Sequence, residues 1–258
     1  MKLYAKQYSD SGAPLVILHG LYGNQGNWST LARQLALQYA VYAFDARNHG
    51  QSPRADSMRL DEMADDVAET LNSLGISRAH VLGHSLGGKV AMLLALEQPT
   101  RVRSLVVVDI APVAYAKGVD PVLHALLALD LTALQSRAEA DAKLGERIAS
   151  KAVRDFLLAN LQRSAEGTFQ WRINLPVIRD YFNEVTSWPD TESVYAGPAL
   201  FIRGEKSDYV LPEHYAAMHR QFPRGTLKTV AGAGHWVHSE KPEAVQRLVG
   251  NFLAELPD

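Results

Sequence analysis

Apolar runs rich in β-branched residues alternate with helical periodicities between residues 15 and 110. Near-continuous apolar runs are typical of strands buried on both faces of a mostly parallel sheet, with helices as the crossovers. Four such runs predict strands: LVILHG (15–20), AVYAFDA (40–46), AHVLGH (79–84) and SLVVVDI (104–110). The opening KLYAKQY (2–8) alternates polar and apolar side chains instead, which predicts a strand at the edge of the sheet.

Two helices are predicted between these strands. The first carries apolar residues at spacings of three and four, and Gly75 can end it with a left-handed cap. Its apolar positions are Leu60, Met63, Val67, Leu71 and Leu74. The second, KVAMLLALEQ (89–98), is apolar nearly all round, which indicates a helix buried against the sheet.

The strand signal disappears from about residue 112 to residue 196. This stretch contains helix-like segments such as PVLHALLALDLTALQ (121–135) and SKAVRDFLLANLQ (150–162). Strands resume with PALFIRG (198–204) and GTLKTV (225–230), and a final amphipathic helix is predicted from Pro242. We therefore expect one α/β core, residues 1–111 and 197–258, with a helical cap inserted at residues 112–196.

The composition of the chain limits which binding partners and which cellular compartment are expected for the protein. The 258 residues include 26 basic and 28 acidic side chains that are interleaved, so no basic face for nucleic acid is expected. The absence of cysteine excludes disulfides and a thiolate nucleophile, and no metal is expected. The apolar run near the N-terminus is too short for a signal peptide or a membrane span, so we expect a cytoplasmic protein. The sequence makes no prediction of an oligomeric state.

The stretch VLGHSLGGKVAM (81–92) contains a G-x-S-x-G motif, which on its own carries little weight because it also occurs by chance. Here a predicted strand precedes Ser85 and a predicted helix follows it, as a nucleophile elbow requires. The neighbours of a serine in such a strained turn must be nearly free of side chain, and Gly83 and Gly87 meet that requirement. The sequence therefore predicts that Ser85 is a nucleophile.

A serine hydroxyl needs a base, and His235 is the predicted one. It lies in TVAGAGHWVHSEKPEAV (229–245), on a loop of small residues between the last predicted strand and the last helix. The other histidines lack this combination. His84 is interpreted as filling the elbow, and His238 as a packing or surface residue.

Two carboxylates compete for the role of orienting His235. Asp109 ends the strand that follows the nucleophile strand, and Asp208 lies in IRGEKSDYV (202–210), after the strand that follows the insertion. Either would reach the carboxyl edge of a parallel sheet. Asp109 would be costly to bury without a partner, whereas Asp208 lies in a polar turn where aspartate is common.

The stretch LHGLYGNQGNW (18–28) follows the first core strand and can supply a second oxyanion donor. We assign the two backbone N–H groups to Leu21 and to Leu86, the residue after the nucleophile. Four residues are candidates for contact with a substrate, although packing is an equal alternative for the two in the cap: His19, Trp171, Arg172 and Trp236.

Several charged residues have two interpretations. Asp45, Arg47 and His49 in FDARNHGQS (44–52) resemble a catalytic cluster, but a hydrogen-bonded turn that needs Gly50 is favoured.

A nucleotide head group on the substrate would need cations near the mouth of the pocket. The candidates, for which a solvated surface role is an equal alternative, are Arg47, Lys89, Lys117 and Arg172.

Together, HGLYGNQGNW, FDARNHGQS, GHSLGGKVAM, VVVDIAPV and GAGHWVHSEKP resemble the α/β-hydrolase family over residues 19–242. The segments DARNHGQS, VDIAPV and WRIN are similar to those of the YbfF-like branch of small bacterial esterases. The resemblance implies a mostly parallel central sheet with helices on both faces and a helical cap. It also implies a cofactor-free serine hydrolase that acts on small-molecule carboxyl esters or fatty acyl-CoA thioesters.

The resemblance also bears on the acid and on other chemistries. Many α/β hydrolases place the acid after the strand that follows the cap, which matches Asp208, whereas the YbfF-like branch places it one strand earlier, at the position of Asp109. We favour Asp109 and keep Asp208 as the alternative. Other members of the family are C–C bond hydrolases, cofactor-free perhydrolases and a menaquinone-pathway lyase, and a ligand-binding receptor on this fold is the non-enzyme alternative. An aspartate nucleophile is disfavoured because Ser85 occupies the elbow.

Overall fold

A computed structural model of the protein describes residues 1–115 and 120–256. The strands are β1 Ala5–Gln7, β2 Ala13–Leu18, β3 Tyr39–Phe44, β4 Ala79–His84, β5 Val102–Val108, β6 Leu161–Arg163, β7 Phe169–Trp171, β8 Ala199–Gly204 and β9 Gly225–Val230. The central sheet has seven of them in the order β1-β3-β2-β4-β5-β8-β9, and all neighbouring strands are parallel except β1 and β3. Strands β6 and β7 form a separate antiparallel pair.

Helices cover both faces of the central sheet. They are α1 Ser29–Leu35, α2 Leu60–Ser73, α3 Leu86–Glu97, α4 Pro121–Leu127, α5 Arg137–Gly145, α6 Lys151–Leu158, α7 Leu175–Asp180, α8 Phe182–Thr186, α9 Tyr215–Gln221, α10 Val237–Glu240 and α11 Pro242–Ala254. Side chains of β2 alternate between two cores. Val16 and Leu18 pack on the side of α2 and α3, whereas Leu15 and Ile17 pack on the side of α1 and α11.

The predicted sheet is confirmed, with strand ends within two residues of the apolar runs. β1 lies at the edge of the sheet, as its alternating pattern predicts. Helix α2 begins at Leu60, and the chain leaves it through Gly75, whose φ of +71° is the left-handed conformation expected of a helix cap. Within the described ranges, every helix is too short or too polar to cross a bilayer.

The inserted segment, residues 112–196, differs from its prediction in two respects. The helix predicted over residues 121–135 ends at Leu127, and Asp130 then accepts hydrogen bonds from the backbone and hydroxyl of Thr132, which stabilise a turn instead of a helix. The expected absence of strands is also wrong, because β6 and β7 form a hairpin here. Each of these strands has three residues, too few to show a period in the sequence.

Candidate active site

Ser85 occupies a sharp turn between β4 and α3. Its φ of 52° and ψ of −121° lie outside the regions that side chains usually adopt, and its backbone N–H donates to Val108 O at 3.0 Å. A Cβ atom on Gly83 would lie 2.1 Å from Gly87 O, and one on Gly87 would lie 2.5 Å from Leu18 O. The turn therefore needs both flanking glycines, and it raises the Ser85 hydroxyl at the carboxyl edge of the sheet.

His235 joins Ser85 to Asp109 by two hydrogen bonds. Its Nε2 lies 3.0 Å from Ser85 Oγ, and its Nδ1 lies 2.8 Å from Asp109 Oδ2. Since a carboxylate can only accept, Nδ1 carries the proton and Nε2 is left to accept the proton of the serine hydroxyl. The three residues are brought together from loops that follow three different strands, β4, β5 and β9.

Asp109 is completely buried and is held by several donors. Gly204 N donates to its Oδ1 at 2.8 Å, while the Ser207 hydroxyl and His235 Nδ1 both donate to its Oδ2. The backbone of Asp109 has a positive φ of 56°, and its N–H donates to Ile202 O at 2.7 Å. A buried carboxylate is tolerated when its oxygens are satisfied in this way, and these hydrogen bonds hold Asp109 in position beside His235.

Asp208, the alternative acid, is exposed and takes no part in this chain of hydrogen bonds. Its side chain has no hydrogen bond or ion pair within residues 1–115 and 120–256. Its two neighbours contribute instead. Ser207 donates to Asp109, and the ring of Tyr209 stacks on His235 with centroids 3.9 Å apart and planes at 22°. Neither was among the predicted site residues; the signal for Ser207 was a hydroxyl in the loop where many α/β hydrolases carry the acid.

Uncharged rings of His84, His238 and Trp28 pack next to the loop that carries His235. The Nε2 atom of His84 donates to His235 O at 2.9 Å, and burial holds the pKa of His84 well below its ordinary value. His238 stacks on Trp28 with centroids 4.2 Å apart, and burial lowers its pKa to about 3. Both imidazoles stay uncharged at neutral pH, so they hold the histidine loop without competing with Asp109 for the proton of His235.

The two expected oxyanion donors, Leu21 and Leu86, line the same cavity as Ser85. Leu86 is the first residue of α3, and Leu21 lies in a turn closed by a hydrogen bond of 3.0 Å from Gly23 N to Gly20 O. Within the described parts of the chain, neither amide N–H donates to another protein group. Unpaired N–H groups at the start of a helix carry partial positive charge, which suits an oxygen that becomes negative.

A cavity of about 460 Å³ opens over Ser85 and His235. Its wall is mostly apolar, and both the core and the inserted segment contribute to it. The apolar lining comes from Leu21, Leu86, Ile110, Val122, Val153, Phe156, Leu157, Phe182, Val185 and Trp236. Its polar lining includes Tyr22, Lys89, Tyr115 and Asp120, so the cavity suits a substrate that is largely apolar around the bond to be broken.

The family model for the alpha/beta hydrolase fold matches residues 13–242. The chain belongs to the α/β-hydrolase family. It is 38% identical to the sn-1-specific diacylglycerol lipase ABHD11 of Mus musculus, over 93% of this chain and 80% of the mouse protein. It is 37% identical to Esterase YbfF of Escherichia coli, over 96% of this chain and 95% of the bacterial one.

A solved structure described as a marine microorganism esterase superimposes with a TM-score of 0.95 at 35% identity, covering 97% of this chain and 99% of that one. A second, of E-2-(acetamidomethylene)succinate hydrolase, has a TM-score of 0.82 at 25% identity and covers 98% and 95% of the two chains. The α/β-hydrolase fold and the resemblance to the YbfF-like branch are therefore confirmed.

Of the four predicted pocket residues of this α/β hydrolase, only Trp236 lines the cavity. Trp171 is buried in β7, and Arg172 is exposed with its Nε donating to Gln162 at 2.6 Å. His19 is buried beneath the loop, where its Nδ1 donates to Gly20 O at 2.8 Å and its Nε2 accepts from Ala46 N at 3.0 Å. The pocket prediction is corrected for these three, because their side chains are used for packing or for hydrogen bonds elsewhere.

The turn at residues 44–52 supports the fold and lies outside the cavity. Asp45 accepts from Gln25 N at 2.7 Å and from Gln51 N at 2.8 Å. Arg47 is buried and forms ion pairs with two residues of α2, Asp66 at 2.6 Å and Glu62. Arg47 is therefore a structural residue, not a cation at the mouth of the pocket.

Lys89 is the one predicted cation that reaches the cavity wall in the described parts of the chain. Its Nζ donates to Thr186 O at 2.7 Å and Ser187 O at 2.5 Å, at the end of α8. Burial lowers the pKa of Lys89 to about 7. Lys117, the remaining candidate, lies outside the described residues. Among residues 1–115 and 120–256, no three His, Cys, Asp or Glu side chains form a group that could hold a metal ion.

Proposed function

We propose that this α/β hydrolase is a serine hydrolase that cleaves carboxyl esters through an acyl-enzyme on Ser85. The observation that carries the proposal is the continuous chain of hydrogen bonds from Ser85 through His235 to Asp109, at the edge of an apolar cavity. The relatives named as an esterase and as a diacylglycerol lipase support an ester as the substrate.

In the first half of the reaction, Ser85 Oγ attacks the ester carbonyl while His235 Nε2 takes its proton. The Leu21 and Leu86 N–H groups hold the carbonyl oxygen as it becomes negative. When the tetrahedral intermediate collapses, His235 returns the proton to the leaving alcohol. The acyl group remains on Ser85 Oγ.

In the second half, a water molecule takes the place of the alcohol. His235 Nε2 removes a proton from this water as it attacks the acyl-enzyme, and the same two N–H groups hold the second oxyanion. Collapse releases the carboxylic acid and returns the proton to Ser85 Oγ. Each proton moves through Nε2, so Nδ1 of His235 must keep its own proton throughout and the same neutral tautomer must return after each step.

Asp109 is proposed to fix that tautomer and to stabilise the imidazolium that forms in both steps. The support for Asp109 is its contact of 2.8 Å with His235 Nδ1 and its complete burial, which keeps the attraction unscreened. Asp208, the alternative acid, is exposed and has no hydrogen bond to His235, so we keep Asp109 as the proposed acid.

The substrate is proposed to be a small molecule whose acyl group packs against the apolar wall above Ser85. The same chemistry cleaves a thioester, so fatty acyl-CoA thioesters are proposed as a second class of substrate. We propose that residues 112–196 act as the cap, because Val153, Phe156 and Val185 of this segment line the cavity together with residues of the core. A cytoplasmic location and the absence of a nucleic-acid partner are retained as proposals from the sequence.

The test is hydrolysis of p-nitrophenyl butyrate by the wild-type protein and by Ser85→Ala. We expect the variant to keep the circular dichroism spectrum of the wild type. Its kcat should fall by about 10,000-fold or more, because no acyl-enzyme can form without the serine hydroxyl. A panel with butyryl-CoA and a β-diketone separates ester and thioester cleavage from C–C bond cleavage. Turnover of the β-diketone alone, or hydrolysis by Ser85→Ala near the wild-type rate, would refute the proposal.

A further inference from the structure

The residue after the oxyanion donor Leu21 has an unusual backbone. Tyr22 has a φ of 61°, a left-handed conformation that costs a non-glycine residue free energy unless its surroundings impose it. We propose that two residues of the inserted segment, Asn160 and Asp120, are positioning residues that impose it and thereby orient the Leu21 N–H. This inference rests on the proposed function, since it concerns the oxyanion site of that reaction.

The core fixes one side of the peptide group that carries the Leu21 N–H. Its carbonyl, Gly20 O, accepts from His19 Nδ1 at 2.8 Å and from Gly23 N at 3.0 Å. Burial lowers the pKa of His19 to about 4, so the ring is neutral and Nδ1 can donate while Nε2 accepts from Ala46 N. Because a trans peptide places N–H and C=O on opposite sides, the Leu21 N–H must point away from these donors.

The inserted segment holds the backbone of Tyr22. Asn160 is completely buried, and its Nδ2 donates to Tyr22 O at 2.6 Å. Its Oδ1 accepts from Asn24 Nδ2 at 3.2 Å, so the Asn160 side chain is hydrogen-bonded to the oxyanion loop at two residues. On the other side, Tyr22 N donates to Nε2 of His49 at 3.3 Å. Tyr22 is therefore held between the core and the inserted segment.

The side chain of Tyr22 makes a second contact with the inserted segment. Its hydroxyl donates to Asp120 Oδ2, while Oδ1 of the same carboxylate caps α4 by accepting from Val122 N at 2.8 Å. Burial, and then Asp120, raise the pKa of Tyr22, so the hydroxyl keeps its proton and remains the donor. The start of α4 and the oxyanion loop are thus joined through one carboxylate.

The two oxyanion donors therefore differ in what holds them. Leu86 belongs to α3 in the core, whereas the loop of Leu21 is held both by the core and by contacts from the inserted segment. Loss of one oxyanion donor typically lowers kcat by about 100- to 1,000-fold. A donor that is less firmly held but still present should lower kcat by a smaller factor, and we expect a loss of about 10- to 100-fold.

The experiment compares Asn160→Leu and Tyr22→Phe with the matched surface variants Asn251→Leu and Tyr215→Phe. Three quantities are measured for each protein: kcat and KM with p-nitrophenyl butyrate, and the inhibition constant of butaneboronic acid, which forms a tetrahedral adduct on a serine. Thermal unfolding reports whether each variant folds. Asn251 and Tyr215 are exposed on α11 and α9, away from the cavity.

We expect Asn160→Leu and Tyr22→Phe each to lower kcat by about 10- to 100-fold and to change KM by less than about 3-fold. The affinity for butaneboronic acid should fall by about the same factor as kcat. A residue that only supports folding would lower the Tm without this split between kcat and KM. The inference is wrong if folded Tyr22→Phe keeps wild-type kcat and boronate affinity, and Tyr22→Phe decides the matter if Asn160→Leu does not fold. That failure is distinct from failure of the proposed function, which Ser85→Ala tests separately.

Discussion

The core and the inserted segment contribute differently to the site. The groups in the hydrogen-bonded chain follow β4, β5 and β9, and Ser207 follows β8; these four strands are adjacent in the sheet. The inserted segment has helices of five to nine residues and two strands of three, and it supplies much of the cavity wall. The sheet therefore brings together groups that are far apart in the sequence, whereas short elements of the inserted segment line the cavity beside them.

The largest effect should come from the core carboxylate. We expect Asp109→Asn to lower kcat by about 1,000- to 10,000-fold, because an amide cannot stabilise the imidazolium and reverses the preferred tautomer of His235. Asp208→Asn serves as the matched control, since it makes the same chemical change on an exposed side chain of the neighbouring loop. Steady-state hydrolysis of p-nitrophenyl butyrate measures both. A deep loss confined to Asp208→Asn would reverse the assignment.

A smaller effect is expected where the core meets the inserted segment, at Lys89. Its pKa is about 7 in the folded protein, against 10.5 ordinarily, so between these values the unfolded chain binds more protons. The free energy of unfolding should then rise with pH across this window, by up to about 1.4 kcal/mol per pH unit from this group. Below about pH 7 the full cost of burying the charge is present.

Urea unfolding of wild type and Lys89→Met at pH 7, 8 and 9 measures this slope. The methionine side chain has similar length and no charge, so the rise with pH that is due to Lys89 should disappear from the variant. Identical slopes for the two proteins would show that Lys89 is not a buried cation with a lowered pKa.

The smallest effect should come from the wall of the inserted segment. We expect Phe156→Ala to move the preferred p-nitrophenyl ester toward longer acyl chains, with kcat/KM changed by about 3- to 10-fold, because a lost aromatic ring enlarges an apolar pocket. Arg172→Ala is the control, since Arg172 is in the same segment but outside the cavity wall. Rates across the C2 to C12 esters test this, and an unchanged profile for Phe156→Ala would contradict it.

The core was predictable because its signals are local. Strands buried on both faces are continuous apolar runs, and the glycines around Ser85 have a steric reason that the sequence pattern already carries. His235 was predictable because a small-residue loop between a strand and a helix brings its side chain to the same edge as Ser85, although 150 residues separate them.

The rest depends on contacts that no local pattern encodes. Asp109 and Asp208 both follow strands that end at the same edge of the sheet. The positive φ of Asp109 and its hydrogen bond from Gly204 N accompany its contact with His235, and neither has a signature in the sequence. The sequence leaves substrate contact and packing open for Trp171, because the hairpin that buries this side chain is too short to show a period in the sequence. The Tyr22 contact with Asn160 joins residues 138 positions apart, across two elements whose packing the sequence does not show.

The most direct test of the central claim is covalent labelling with a fluorophosphonate, followed by intact mass and tryptic peptide mapping. A serine activated by a neighbouring imidazole reacts with such a reagent, whereas an ordinary serine does not. We predict one adduct per chain, located at Ser85 in the tryptic peptide of residues 79–89, and no adduct on Ser85→Ala or His235→Ala. An active protein that takes no label, or that takes it on another residue, would contradict the account.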